Sequence, residues 1–375
     1  MMKVIFTCGG TAGHINPAIA VANIMRERHP DCQILFIGAK GHMEEKLVPQ
    51  AGYDLVCLPG SGLSRGKSLK AIKKNVKVVG DLFGSIRQCR KIIKDFKPDV
   101  IVGTGGYASF PALYAGSQLK VPTCVHESNA VPGLTTKMVA NRANKVLVSF
   151  EESAKHYAHP VKVEVVGMPV RKEVIMTTRE AARRELGIGD EPLVVSAFGS
   201  LGARAMNYAV ADMMKLEQEN GFPFRHIHAT GSFGWEWMPE YVKSLGLELA
   251  DCPSIDMREY IYNMPTLMAA ADVIIGRAGA STCNEIGASG TPCVLVPSPN
   301  VTNNHQEKNA RILEQRGCAV VLTEGEDMGV KLFDAVSDLL NDRDKRSKMS
   351  ASLRQMVKLD CADRICDLIE QLSDI

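Results

Sequence analysis

The chain has 375 residues, 45% of them hydrophobic and 23% charged, with a formal net charge of +2. That length exceeds one ordinary core and predicts two domains, and the near-neutral balance speaks against a dedicated nucleic-acid binder, so no nucleic-acid partner is expected. Eleven cysteines stand singly without a CxxC pair, a pattern of reduced cytosolic thiols, while no N-terminal stretch reads as a signal peptide and no apolar run approaches the ~20 residues that cross a bilayer.

Short apolar runs alternate with helical patterns along the whole chain. In the first half the candidate strands are VIFTC (4–8), QILFIG (33–38), DLVCL (54–58), DVIVG (99–103), TCVHE (123–127), KVLVSF (145–150) and KVEVVG (162–167). The second half begins again with LVVSAFG (193–199), RHIHATG (225–231), LELA (247–250), DVIIG (272–276), CVLVP (293–297) and AVVL (319–322). Most run continuously apolar instead of alternating, as strands covered on both faces do. Helical patterns fill the gaps, at Pro17–Arg28, Phe110–Leu119, Met206–Glu219, Ser281–Ser289 and Gln306–Arg316. Repeated βα units of this kind predict an α/β protein with two doubly wound parallel sheets. The expected domains are 1–167 and 168–350, hinged near 165–172, with a helical segment at 351–375 packing back on the first domain. Ligands of such sheets bind beyond the C-terminal ends of the strands, so the expected site is the cleft between the domains.

Each half opens with a glycine-rich turn between its first strand and first helix, "TCGGTAGH" (7–14) and "AFGSLGAR" (197–204). Such turns are often only tight corners, and the G-G-x-x-G spacing misses the dinucleotide fingerprint, which disfavours a Rossmann oxidoreductase. Functionally, glycines admit a ligand to backbone amides at a helix N-terminus, where the partial charge suits anions. His14 stands at that helix start, in a field that favours the neutral imidazole and so a proton acceptor.

Further motifs follow in series: "GTGGYASFPALYAG" (103–116), "HESNAVPGLTTKMVANRA" (126–143), "GMPVR" (167–171), "FGSLGARAMN" (198–207) and "GRAGASTCNEIGASGTPCVLVPSPNVTNNHQEKNA" (276–310). In this order and spacing, from about residue 3 to about residue 345, they resemble the bacterial peptidoglycan glycosyltransferases that add N-acetylglucosamine (GlcNAc) to undecaprenyl-pyrophosphoryl-N-acetylmuramyl-pentapeptide. The resemblance implies the GT-B architecture of two Rossmann-like domains. It also implies an inverting, metal-independent transfer from UDP-GlcNAc to the 4-hydroxyl of N-acetylmuramic acid (MurNAc), with no cofactor. Glycines 9, 10 and 13 would then open space for a pyrophosphate-bearing acceptor.

The resemblance also assigns roles. Gly279, Ala280, Ser281 and Thr282 contact the donor diphosphate, with Ser200 and Arg171 as further anion contacts. Ser281 also reads as a simple N-cap. Glu285, one turn along the same helix, takes the ribose hydroxyls. The Ile261 backbone pairs with uracil, and Gln306 reads hydroxyls of the donor sugar. Thr11, Ala12, Gly13 and Asn129 complete the UDP-GlcNAc contacts. His14 is the expected general base, although Glu127 could be the base or orient His14. Met168 and Phe198 depart from the family pattern, which has asparagine and glycine there.

Between Arg65 and Lys97 stand eleven Lys/Arg against Asp81 and Asp95, interleaved with Leu69, Ile72, Val76, Val78, Val79, Leu82, Phe83 and Ile86. One reading is a buried helix with a solvated face. The other is a patch for an anionic membrane surface, which suits a lipid-linked acceptor and a peripheral place on the cytoplasmic face of the bacterial membrane. The competing functions are another enzyme of this architecture, such as a lipid or natural-product glycosyltransferase or a UDP-GlcNAc 2-epimerase, and a non-catalytic nucleotide-sugar-binding subunit.

Overall fold

The computed structural model describes residues 1–59 and 69–373, apart from the side chains of residues 69–79 and of Thr302. The chain forms two compact units, Met1–Val170 joined by Lys358–Ile375, and Arg171–Val357.

The first unit is built on strands β1 (Lys3–Thr7), β2 (Gln33–Ala39), β3 (Asp54–Leu58), β4 (Val100–Gly103), β5 (Thr123–Glu127), β6 (Lys145–Val148) and β7 (Val163–Val165). They lie in the order β3-β2-β1-β4-β5-β6-β7, and every pairing is parallel. Both faces are covered, which is why the strands read as unbroken apolar runs. Val4, Phe6 and Cys8 pack on one side with Ile15, Val21 and Met25 of helix Ala12–Arg28. Ile5, Ile37, Ile101 and Val125 pack on the other with Ile86, Cys89, Ile93 and Leu113.

The second unit carries β8 (Leu193–Ala197), β9 (Arg225–Ala229), β10 (Ile255–Arg258), β11 (Val273–Gly276), β12 (Cys293–Leu295) and β13 (Val320–Val321), ordered β10-β9-β8-β11-β12-β13. These pairings are parallel as well. LELA (247–250) is not a strand: residues Leu249–Asp251 form a short 3-10 turn. The strand is Ile255–Arg258, whose sequence IDMR lacks an apolar run because β10 is the outermost strand and pairs only with β9. A fully polar chain lies buried beneath this sheet. Ser196 Oγ meets His226 Nε2 at 2.8 Å and His228 Nδ1 at 2.7 Å, and His226 Nδ1 donates to Glu217 Oε1 at 2.7 Å. Burial, with His226 as a smaller cause, pushes the His228 imidazole down to about 3.

Past residue 350 the chain divides at Val357. Helix Arg343–Met356 stays on the second unit because Gly287 lets it close on helix Ala280–Ser289, where a Cβ would sit 2.2 Å from Val357 Cγ2. Helix Cys361–Ser373 packs on the first unit, burying Ile365, Cys366, Ile369 and Leu372 with Val21 and Met25.

Of the basic segment, Gly60–Ser68 and the side chains of 69–79 lie outside the described residues. Beyond them helix Leu69–Phe96 turns Ile86, Cys89 and Ile93 into the core and leaves Arg87, Arg90, Lys91 and Lys94 exposed. Leu82 and Ile86 therefore pack as core, and Phe83, 69% exposed, is the apolar side chain that faces outward there.

Candidate active site

In each sheet the strand order reverses beside the first strand, between β1 and β4 and between β8 and β11. Loops leaving such neighbours diverge, and the gap between them is where α/β sheets hold ligands.

In the first unit this point is stitched closed by hydroxyls. Thr7 Oγ1 donates to the Ala108 carbonyl at 3.1 Å, Ser109 Oγ to the Thr7 carbonyl at 2.9 Å, and Thr104 Oγ1 to the His14 carbonyl at 2.6 Å. The two glycine-rich loops can approach because Gly105 and Gly106 have positive φ and no Cβ. A Cβ on Gly105 would lie 2.8 Å from His14 Cδ2, and one on Gly106 2.2 Å from the Gly9 carbonyl oxygen. Thr11 caps helix Ala12–Arg28 by position only, and Ala12 and Gly13 supply its first amides.

His14 Nδ1 lies 3.1 Å from the Gly9 carbonyl oxygen and 3.3 Å from Thr11 Oγ1. A carbonyl only accepts, so Nδ1 carries the proton of the neutral ring and Nε2 is the accepting nitrogen. Two strands away, Glu127 is 4% exposed and its carboxylate holds its own loop. Oε1 accepts from Asn129 N at 3.0 Å and Asn129 Nδ2 at 3.1 Å, and Oε2 from Gly133 N at 2.9 Å. With both oxygens engaged within this loop, Glu127 fixes Asn129. His126 beside it is buried. Its Nε2 donates to the Gly167 carbonyl at 2.8 Å, and burial lowers its proton affinity.

In the second unit Gly279 is the N-cap of helix Ala280–Ser289, in extended conformation. Ser281 is therefore not the cap; it stands with Thr282 inside the first turn, half-buried, beside amides that lack intrahelical acceptors. Ser200 lies exposed in the neighbouring loop after β8. Arg171 and Glu285 come together, Nε donating to Oε1 at 2.7 Å. Ile261 follows β10 with its side chain buried, between exposed Tyr260 and Tyr262. Gln306, in the first turn of helix His305–Gln315, accepts the Ser298 amide at 2.9 Å through Oε1, which leaves its NH2 as the donor end. The departures fit their surroundings. Phe198 is buried with the Arg277 guanidinium 5.8 Å above its ring, and Met168 is buried in the first unit. Arg277 also pairs with Glu324 at 2.7 Å.

Sequence reasoning missed Thr104, Glu44 and Arg277. Thr104 and Arg277 each directly follow a strand inside a glycine-rich motif, which was a readable signal. Glu44, in GHMEEK, carries none.

The comparisons with known proteins point to one family. Residues 4–148 match the glycosyltransferase family 28 N-terminal domain, and residues 193–365 its C-terminal domain. The chain is 40% identical, over 99% of its length and 98% of the relative's, to the UDP-N-acetylglucosamine–N-acetylmuramyl-(pentapeptide) pyrophosphoryl-undecaprenol N-acetylglucosamine transferase of Acetivibrio thermocellus. Among solved structures, Acinetobacter baumannii MurG superposes with a TM-score of 0.74 at 26% identity, covering 99% of this chain and all of that one. A Listeria monocytogenes protein described as a putative UDP-N-acetylglucosamine 2-epimerase shares the fold at a TM-score of 0.67, over 99% of this chain and 96% of that one, but with 12% identity. The two Rossmann-like units are those of the GT-B class, and the chain belongs to glycosyltransferase family 28.

Proposed function

We propose that this chain moves GlcNAc from UDP-GlcNAc to the 4-hydroxyl of MurNAc in undecaprenyl-pyrophosphoryl-MurNAc-pentapeptide, with inversion at the anomeric carbon. The observation that carries the reading is the 40% identity along 99% of the chain to a transferase of that name. The 4-hydroxyl oxygen forms its bond to the anomeric carbon while the bond from that carbon to the diphosphate oxygen breaks and UDP leaves. The hydroxyl proton passes to Nε2 of His14, the lone pair defined by the Nδ1 contact to Gly9.

The second unit takes the donor. Glu285, oriented by Arg171, accepts from the ribose hydroxyls, and the Ile261 backbone meets the uracil. The diphosphate charge meets the amides of Gly279 and Ala280, the hydroxyls of Ser281, Thr282 and Ser200, and the remaining N–H groups of Arg171. Gln306 reads the sugar hydroxyls. On the first unit Thr11, Ala12, Gly13 and Asn129 serve the sugar nucleotide, and His14 the acceptor hydroxyl. Among the described residues no helix is long and apolar enough to cross a membrane. A lipid-linked acceptor and the basic 65–97 segment support a peripheral place on the cytoplasmic membrane face.

Purified chain supplied with labelled UDP-GlcNAc should release UDP only when the lipid-linked MurNAc acceptor is added. Release without acceptor, or no labelled lipid with it, would overturn the reading. His14→Ala should cut kcat about 10²–10⁴-fold, whereas Glu285→Gln should weaken UDP-GlcNAc binding about 10- to 100-fold.

A further inference from the structure

Glu44 is a charged residue with 0% exposure, standing just past β2 at the start of helix Glu44–Gln50. Burying a carboxylate is costly unless donors surround it, and here the donors are backbone amides of two different segments. Oε1 accepts from Ala39 N at 2.9 Å, and Oε1 and Oε2 accept from Gly10 N at 3.3 and 3.2 Å. Glycines make the room. A Cβ on Gly38 would sit 2.6 Å from Glu44 Cγ, and one on Gly9 3.0 Å from Glu44 Oε1.

The Gly10 N–H and the Gly9 C=O belong to one peptide group. That group is planar and trans, so its N–H and C=O point to opposite sides. Glu44 holds the N–H on one side, and on the other the C=O meets His14 Nδ1 at 3.1 Å. Glycine flanks this peptide on both sides, and Gly10 already has φ +87°, so neither flanking residue carries a Cβ that would oppose a flip of the peptide plane. A flipped plane would turn an N–H toward Nδ1. Nδ1 would then have to accept, and the ring proton would move to Nε2, the nitrogen assigned to take the acceptor's proton.

We propose that Glu44 is a positioning residue: by pinning the Gly9–Gly10 peptide it holds His14 in the tautomer whose Nε2 is the proton acceptor. This rests on the role given to His14 above. It explains why a carboxylate occupies the position, since both of its oxygens only accept. In Glu44→Gln one oxygen becomes an NH2 that opposes an amide N–H, at nearly unchanged volume.

The test combines kinetics with nitrogen-15 spectroscopy of the histidine rings at a pH where His14 is neutral. Wild-type His14 should carry its proton on Nδ1. Glu44→Gln should shift the tautomer toward Nε2–H and lower kcat tenfold or more, with the dissociation constant for UDP-GlcNAc changed less than threefold. Unaltered kcat and tautomer in the variant would overturn the proposal. Should the variant fail to fold, the wild-type spectrum alone decides, because a ring proton found on Nε2 would equally overturn it. The spectrum needs no substrate. A chain that transferred no GlcNAc would sink the proposed reaction, while the effect of Glu44 on the His14 tautomer would still be read.

Discussion

At the scale of single residues, the second unit spends much on one buried polar chain. Glu217, His226, Ser196 and His228 are all fully buried and hydrogen-bonded in sequence. Its pH behaviour follows from His228, held neutral down to about 3 by burial and by the neighbouring His226. An unfolded histidine titrates near 6.5, so between pH 6.5 and 3 the unfolded chain binds a proton that the folded chain refuses. The stability present above pH 6.5 is therefore lost as pH falls through that window. Urea unfolding at pH 7.5 and pH 5.0 should show a loss that His228→Gln reduces by about 2 kcal/mol. The signal for this chain was readable, since RHIHATG sets two histidines two residues apart in a strand otherwise read as buried. The Glu44 contact was not readable, because nothing in local sequence tells which carboxylate will be folded under a glycine turn 34 residues upstream.

At the scale of elements, helix Cys361–Ser373 is held on the first unit by two kinds of contact. Arg28 pairs with Asp363 at 2.8 Å, Asp367 at 2.6 Å and Glu370 at 3.3 Å, and Ile369 is fully buried. The ion pairs are partly solvated, and such pairs contribute about 0–1 kcal/mol each. The aliphatic face therefore dominates. Ile369→Ala should cost about 2–5 kcal/mol in denaturant unfolding, well beyond the effect of Arg28→Ala. The same contrast between burial and pairing explains which elements could be read. Central strands such as Val100–Gly103 and Val273–Gly276 announce themselves by apolar runs. Edge strand Ile255–Arg258 needs only one covered neighbour and hides behind Asp256 and Arg258. In helix Leu69–Phe96, the apolar residues read between the charges included the inward Leu82 and Ile86, but their pattern could not tell a core-facing set from a membrane-facing one.

At the scale of the whole molecule, charge is unevenly placed. Residues 65–97 carry eleven basic and two acidic side chains, a surplus of nine positive charges in a chain of net +2. The remainder is thus net negative by seven, and the segment should steer the molecule toward anionic lipid at about 1 kcal/mol per basic residue near the surface. Co-sedimentation should show binding to phosphatidylglycerol-containing vesicles that weakens steeply between 0.05 and about 0.5 M salt, where the screening length contracts. Equal binding to neutral vesicles would count against it. Connectivity sets a last constraint. Residues 171–357 interrupt the first unit, whose closing helix is among the last residues of the chain. At about 5–20 residues per second of synthesis, the apolar flank formed by Val21 and Met25 waits about 10–40 s for its cover after residue 170 is made. A nascent chain on the ribosome thus carries that apolar flank uncovered throughout the interval.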